Sequence, residues 1–590
     1  RTGTDEHGDK IVAAAEKSGQ GPKEYVDAVS AQFRALWPRL NISNNDFIRT
    51  TDPKHQETVK LILTKVKAKG DIYFSDYSGL YCFGCERFYA ERELVEGKCP
   101  DHQVEPTRIS ESNYFFRMSK YQDWLIDHIR KNRDFIRPER YRNEVLAFLK
   151  EPLEDLCISR PKTRLSWGIP LPFDENYVTY VWFDALINYA SALGYPGGLL
   201  FQRYWPVVQH LVAKDILKPH GIYWPCMLQS AGIEIYQHLN VHGYWNVNQG
   251  KMSKSLGNVV KPLDLVDIYG LDAFRYFLLR EMVFGLDSDF SEDALVARIN
   301  SDLANDLGNL VSRSLTMVQN YYQGRLPEPG PSTEADDEIR KEALSLIDRY
   351  SGFMEEMSPH KALMAVWEFM NRLNKYIVTT EPWLLAKSDG TRLATVMNHL
   401  VESLKIISVL IWPVMPETAE KIQGLLGLPR KGGDLGLQDI REWGRVKPSG
   451  AIAKAPHLFQ RIGPESPKEG SAKKKAEKKK EDLVERVSIK DFQKLELRAG
   501  TIKAVEPVAG SKKLFKMRVD LGEERTIVAG LAGLYSEADL VGKQVVVIAN
   551  LEPAMLMGVE SNGMVLAAED KSGVHLLTPD AATKPGSKVR

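Results

Sequence analysis

Between residues 464 and 482 the chain reads PESPKEGSAKKKAEKKKED, a stretch with no aromatic and no branched apolar side chain. Such a segment cannot bury enough apolar surface to offset the entropy of ordering it, so it stays solvated. Whatever folds among the 590 residues must fold on either side of it. Its lysines are able to meet phosphates, but a charged tether that repels itself into an extended form is the plainer reading.

Hydrophobic residues make up 43% and charged ones 26%, which allows sizeable cores and excludes global disorder. Length corresponds to about four ordinary domains. The 78 basic side chains are balanced by 78 acidic ones, so any nucleic-acid binding must come from local patches. No apolar run approaches the roughly 20 residues that span a bilayer. The best candidate, IISVLIWPVM at 406–415, contains Pro413 and reads as a buried helix. With no targeting segment in view and no membrane indicated, a cytoplasmic location is the expectation. Five cysteines, three of them clustered, argue against a secreted disulfide scaffold.

Up to about residue 300, strand-like runs such as YVTYVWF (177–183) and LNVHGYW (239–245) alternate with helical stretches, an α/β pattern. From Ile299 to about Ile422 the apolar spacing turns helical, as in NSDLANDLGNLVSRSLTMV and KALMAVWEFMNRLNKYIV, and predicts a helix bundle. After the tether come short β-rich runs, LRAGTIKAV, FKMRVDLG, QVVVIANL and GMVLAAED, separated by turn residues. That spacing predicts a small all-β barrel. No convincing internal repeat is present.

Cys82 and Cys85 form a C-x2-C pair, and Cys99 and His102 follow in a second short-spaced pair, KCPDH. Two such pairs are what tetrahedral zinc requires, since each places two ligands on one tight turn, relieved here by Gly84 and Gly97. Sulfur and nitrogen donors fill all four positions, so the predicted zinc, one per subunit, is structural. Cys157 and Cys226 sit singly in apolar surroundings and read as core.

At 250–258 the chain reads GKMSKSLGN, two lysines three apart among serines and glycines. A mobile loop with two positive charges can close on a triphosphate and stabilise charge at the α-phosphorus as pyrophosphate leaves. The order of a Walker loop is absent. As a word, KMSKS is the signature of class I aminoacyl-tRNA synthetases, and a strand-like run leads to it through His242 and Gly243.

With GTDEHG at 3–8, the cysteine–histidine knuckle, ISRPKTRLSWGIP, YVWFDALINY, AKDILKPHGIYWP, VHGYWNVNQGKMSKSLGN and INSDLANDLGNL, the chain resembles the methionyl-tRNA synthetase family over nearly all its length. The resemblance implies a multidomain α/β protein. A Rossmann-like class I catalytic domain carries a zinc-knuckle insertion, an α-helical bundle binds the anticodon, and a C-terminal β-barrel is an OB-fold. The implied divisions are 1–71 and 156–260 for the two catalytic parts, 72–155 for the insertion and 261–300 for a linking stem-contact region. Residues 301–460 would form the anticodon domain, 461–486 the charged linker, and 487–590 the tRNA-binding and dimerisation module.

The implied reaction joins L-methionine and ATP into methionyl-adenylate and passes the acyl group to the 3′ end of tRNA(Met). Mg²⁺ would accompany ATP. Lys251 and Lys254 are the expected catalytic charges. His7, Gly8, Asp215, His242, Gly243, Met252 and Ser253 would join them around ATP. Asp5 would meet the methionine ammonium group, and Arg160 would lie near its carboxylate. Trp182, Ala185, Leu186, Tyr189, Ile216, His220 and Trp224 would line the side-chain pocket, where a polarizable thioether suits aromatic and aliphatic walls. Pro219 departs from the aromatic often found before the pocket histidine.

Asn374 and Trp443 match anticodon-reading positions, while Lys512, Lys513 and Lys516 are candidates for tRNA phosphates. Ala554 and Met555 stand where relatives often carry basic residues. The C-terminal module implies a homodimer.

Two other readings compete: a class I synthetase of different specificity, and a tRNA-binding protein without catalysis. A single knuckle and the lack of a large editing insertion between Tyr81 and Arg160 argue against leucine, valine and isoleucine enzymes. The closed metal site argues against a cysteine enzyme. The non-catalytic reading draws on one missing word, the His-Ile-Gly-His type of class I enzymes, which the resemblance places upstream of Arg1. On that view RTGTDEHGDK is an interior strand end, the full-length protein is the enzyme, and the chain as written is expected to be nearly inactive.

Overall fold

The computed structural model describes residues 1–82, 87–89, 91–100, 103–247, 250–252, 259–428, 431–445, 451–463, 494–511, 513–570 and 573–589. The chain divides into two units, Arg1–Ser471 and Ala472–Arg590.

The first unit opens on the strand Thr2–Thr4, which pairs in parallel with Phe47–Arg49. Parallel neighbours need a crossover, supplied by the helices Asp9–Lys17 and Pro22–Arg39. Gly3 is required at this seam, because a Cβ there would overlap the Ile48 carbonyl. A second parallel patch runs Gln209–Ala213, His238–His242, Ile136–Arg137 in spatial order. The helix Trp224–Ala231 lies in the crossover between its first two strands. Val212, Leu239 and Val241 are buried there, as strands covered on both faces demand.

Between these patches the chain makes an antiparallel excursion, in which Ile72–Cys82 pairs with Thr107–Phe116 from Ile72↔Phe116 to Tyr81↔Thr107. One expected strand is only half a strand. The run 177–183 is extended through Asp174–Thr179 and then coils into the helix Val181–Ala185. Tyr180 is the hinge, with its N–H bonded to Ile158 and its carbonyl accepting from Phe183 and Asp184.

From Pro262 to Ile440 the described residues are mainly helical, with the short strand Ser288–Asp289 among them, and one apolar core runs from Leu265 to Ala455. Glu292–Arg298, a π-helical stretch Ile299–Gly308 and Asn309–Tyr322 follow one another without a break. Gly390–Ile411, the one helix among the described residues long and apolar enough to cross a membrane, is almost wholly buried inside the bundle. It ends just before Pro413, which cannot continue it.

The second unit is built on a five-stranded antiparallel sheet that curls into a nearly closed barrel. Its long strands are Leu497–Pro507, Phe515–Asp520, Glu524–Ala529 and Gln544–Ile548. Phe515, Met517 and Val519 alternate into the core with Ile502, Ile527, Val545 and Val547, the period of two expected of a one-sided sheet.

Candidate active site

The loop 5–8 leaves the first strand and delivers Gly8 as the cap of the helix Asp9–Lys17 at φ 112°, a backbone angle that a side chain would strain. Asp5 is exposed, whereas Glu6 and His7 are buried. Glu6 takes two bonds from Arg49, at 2.7 and 2.9 Å, and its carbonyl accepts from Trp167 Nε1 at 2.7 Å. His7 Nδ1 lies 2.6 Å from Asp184 Oδ2, while the other oxygen of Asp184 lies 2.7 Å from His55 Nε2. Burial opposes the charge on both Asp184 and His7. The two imidazoles nonetheless hold the Asp184 carboxyl below its usual range, and Asp184, with Asp5 and Glu6, holds His7 above its own.

An aromatic cluster stands beside this loop's partners. Trp182 and Ala185 lie on Val181–Ala185, Leu186 follows, and Tyr189 lies on the helix Asn188–Ser191. Ile216 ends the turn Lys214–Ile216 that also holds Asp215, His220 lies in the π turn Pro219–Tyr223, and Trp224 begins the next helix. The Tyr189 hydroxyl is 2.7 Å from His220 Nε2, and His220 Nδ1 is 2.9 Å from the Ile216 carbonyl. A neutral ring donating to the carbonyl therefore accepts from the tyrosine. Burial pushes His220 down to about 4, which fixes that neutral form. Trp182, Ile216 and Tyr189 are the half-buried members, so the wall is apolar with a wet edge.

Sequence reasoning missed two members of this cluster. His210 packs at a tilt against Tyr189 at 3.9 Å and Tyr236 at 4.2 Å between ring centroids, and accepts from Trp224 Nε1 at 3.1 Å. Tyr236 in turn donates to the His220 carbonyl at 2.7 Å. Arg160 is buried, with its guanidinium carbon 5.1 and 4.8 Å from the ring centres of Tyr81 and Tyr180 and Nη1 donating to the Ser159 carbonyl at 2.7 Å. Cation–π contact and this hydrogen bond thus offset the cost of burying its charge.

His242 ends the strand His238–His242, and a Cβ at Gly243 would overlap the Leu286 carbonyl, so only glycine lets the two segments meet. Trp245–Val247 then pairs with both Gly250–Lys251 and Ser288–Asp289. The backbone of Lys251 and the half-buried Met252 are thereby placed at the edge of this small sheet. Ser253 and Lys254 lie outside the described residues.

Cys82 closes the strand Ile72–Cys82, and Cys99 packs with it and Tyr89 in a small buried cluster. Cys85 and His102 lie outside the described residues, among which no group of three metal-ligating side chains converges. The two thiols that are described are close, buried and not disulfide-bonded, the setting that soft ligands of a knuckle need. Cys157 and Cys226 are buried in the core of the unit.

Asn374 is half-buried on the helix Pro359–Thr380. Trp443 packs on His399, 5.2 Å between ring centroids, and both line a cavity of about 500 Å³ with Arg325, Asn398 and Glu402. In the second unit Lys513 is exposed and Lys516 lies 3.6 Å from Glu506, while Lys512 lies outside the described residues.

Known proteins match this sequence along its whole length. The family model described as class I tRNA synthetases (M) matches residues 1–110 and 102–315. The anticodon-binding domain of methionyl tRNA ligase matches 326–479, and a tRNA-binding domain matches 497–588. The methionine–tRNA ligase of Caldanaerobacter subterraneus is 45% identical over 100% of this chain and 93% of its own length. The Clostridium tetani enzyme is 46% identical over the same shares. A crystal structure of the Mycobacterium tuberculosis methionyl-tRNA synthetase bound by methionyl-adenylate is 41% identical, with a TM-score of 0.73 over 78% of this chain and 91% of that one. Neither a synthetase of another specificity nor a non-catalytic tRNA binder is favoured by these relatives. The chain belongs to the methionine–tRNA ligase family of class I tRNA synthetases.

Proposed function

We propose that this protein activates L-methionine with ATP and transfers it to the 3′ end of tRNA(Met). The observation that carries the reading is the aromatic wall built around neutral His220. Tyr189, Trp224 and Ile216 offer an unbranched thioether an apolar, polarizable slot with one uncharged polar edge. A branched or charged side chain would either leave voids there or bring an unpaired charge.

A methionine carboxylate oxygen attacks the α-phosphorus of ATP, the bond to the β-phosphate oxygen breaks, and pyrophosphate leaves. The terminal ribose hydroxyl of tRNA then attacks the acyl carbon and AMP departs. Asp5 holds the ammonium group, Arg160 lies on the carboxylate side, and Trp182, Ala185 and Leu186 complete the pocket. His7, Gly8, Asp215, His242, Gly243, Met252 and Ser253 border ATP, with Lys251 and Lys254 stabilising the charge that develops on the phosphates. Mg²⁺ enters with ATP. Cys82, Cys85, Cys99 and His102 would hold a structural zinc, supported by the burial of the first and third beside Tyr89.

The functional divisions proposed are 1–71 and 156–260 for chemistry, 72–155 for the knuckle, 261–300 for the tRNA stem, 301–460 for the anticodon, 461–486 as linker and 487–590 for general tRNA binding and dimerisation. Asn374 and Trp443 read anticodon bases, and Lys512, Lys513 and Lys516 meet phosphates. The enzyme works as a cytoplasmic homodimer.

The test is methionine-dependent exchange of pyrophosphate into ATP by the protein expressed from its complete reading frame. Exchange that follows methionine, and not leucine or valine, is the expected result. Lys254→Ala should slow exchange about 10²–10³-fold while leaving tRNA affinity intact. Exchange driven equally by other amino acids would refute the substrate, and equal losses in exchange and tRNA binding would refute the role of the lysine.

A further inference from the structure

Asp184 is fully buried, and each of its oxygens faces a different imidazole: His7 at 2.6 Å and His55 at 2.7 Å. The three residues come from the loop 5–8, the helix Val181–Ala185 and the helix Pro53–Ala68, so the fold, not local sequence, assembles them. His55 is itself fully buried and is anchored on its far side by Ser191, 2.8 Å from Nδ1. An ionised carboxylate only accepts hydrogen bonds, so the nitrogens that face it, His7 Nδ1 and His55 Nε2, both carry hydrogens. The serine hydroxyl has one hydrogen and a longer alternative, 3.2 Å to the Asn188 carbonyl. Its 2.8 Å contact with His55 Nδ1 completes a chain Ser191–His55–Asp184–His7.

A fully buried carboxylate is costly unless it is both paired and hydrogen-bonded. Here the arrangement spends both oxygens on orienting rings. Of the two rings only His7 keeps any exposure, 6% against 0% for His55, and among the described residues no protein group bonds His7 Nε2. The loop that carries His7 also carries exposed Asp5 and opens a helix through Gly8.

We propose that His55 is a positioning residue for the nucleotide: through Asp184 it fixes the His7 ring so that Nε2 donates to an ATP phosphate oxygen. The proposal rests on the reading of loop 5–8 as the nucleotide side of the site. The groups that face His7 are Asp184, with His55 behind it, Asp5 and Glu6 on its own loop, and the Trp167 ring at 5.5 Å. Glu6 is already matched by Arg49. Burial disfavours the imidazolium, but these carboxylates together more than offset it, a balance that favours the second ring hydrogen the proposed bond needs.

The experiment compares His55→Phe, His55→Gln and Asp184→Asn in the protein from its complete reading frame, with His7→Ala as a control on the underlying reading. His55→Phe keeps the bulk but loses the bond to Asp184, and should raise the KM for ATP in pyrophosphate exchange about tenfold with the KM for methionine unchanged. His55→Gln keeps a donor and should recover most of that loss. Histidine-selective NMR supplies a readout independent of turnover and of how well the phenylalanine variant folds. Asp184→Asn should lower the His7 titration midpoint by about one pH unit or more.

An unchanged ATP KM in His55→Phe, or an equal rise for methionine, overturns the proposal, as does a His7 midpoint that ignores Asp184→Asn. If His7→Ala itself leaves the ATP KM unchanged, the nucleotide reading of the loop fails. If His7→Ala weakens ATP but neither partner variant does, only the positioning role fails.

Discussion

His210 and His220 share the aromatic cluster around Tyr189, and burial drives both rings toward the neutral form. Unfolding restores their ordinary affinity for protons. The contribution of His220 to stability is therefore whole above about pH 6.5 and is lost as pH falls toward about 4, at no more than about 1.4 kcal/mol per pH unit, and His210 acts in the same direction. His7 works in the opposite sense, since its raised value stabilises the fold below about pH 6.5 and fades as pH rises through the folded value. Comparing thermal melting at pH 7 and pH 5, His220→Gln should lose less between the two than the unchanged protein, and an identical loss would remove His220 as a cause. His220 was readable because it sits in the word DILKPHGIYW. His210 was not, because an alternate residue on a short strand gives no sign that Trp224 and Tyr236 will close on it. Asp184 was visible within YVWFDALINY as a letter, but its partner His55 lies 129 residues away and no spacing rule joins them.

The helix Gly390–Ile411 buries an ion pair as well as its apolar residues. Lys405 Nζ lies 2.5 Å from Glu402 Oε1, and the same oxygen accepts the Gly444 N–H at 2.9 Å, next to Trp443. Glu402→Ala would strip that carboxylate from a buried lysine and cost about 3–5 kcal/mol, whereas Glu402→Leu with Lys405→Met should recover most of it, as read by denaturant unfolding. Equal losses in both would mean that the site depends on shape and not on charge. Trp443→Ala should raise the KM for tRNA with pyrophosphate exchange unaffected, and loss of exchange would argue against an anticodon role. Helical spacing made the bundle legible, since its buried stripe is long and regular. The switch at Tyr180 was not, because VWF is as good a strand as a helix turn until Asp184 finds its two histidines. The glycine at 243 could be quoted but not explained until Leu286 was seen against it.

At the scale of the molecule, the stretch read from composition as a tether lies outside the described residues, and the two units have cores that share no residue. A cut before Ser488 should keep methionine-dependent exchange, weaken tRNA binding and yield a monomer in sedimentation. Dimers that survive the cut would place the subunit contact elsewhere. The architecture was legible because each part has its own apolar period, 3.6 in the bundle and 2 in the barrel. What periodicity could not convey is how the bundle joins the rest of the first unit. The chain that pairs at Ser288–Asp289 with the strand before the lysine word enters, at its Ser291 cap, the helical run that ends at Tyr322 in the bundle. That run has no loop in it, only ten residues of wider π turns. In mechanical terms it is a rod without a joint, fixed in the bundle at one end and, at the other, to the strand Ser288–Asp289, which lies across Trp245–Val247 from the opposite sheet edge that carries Lys251.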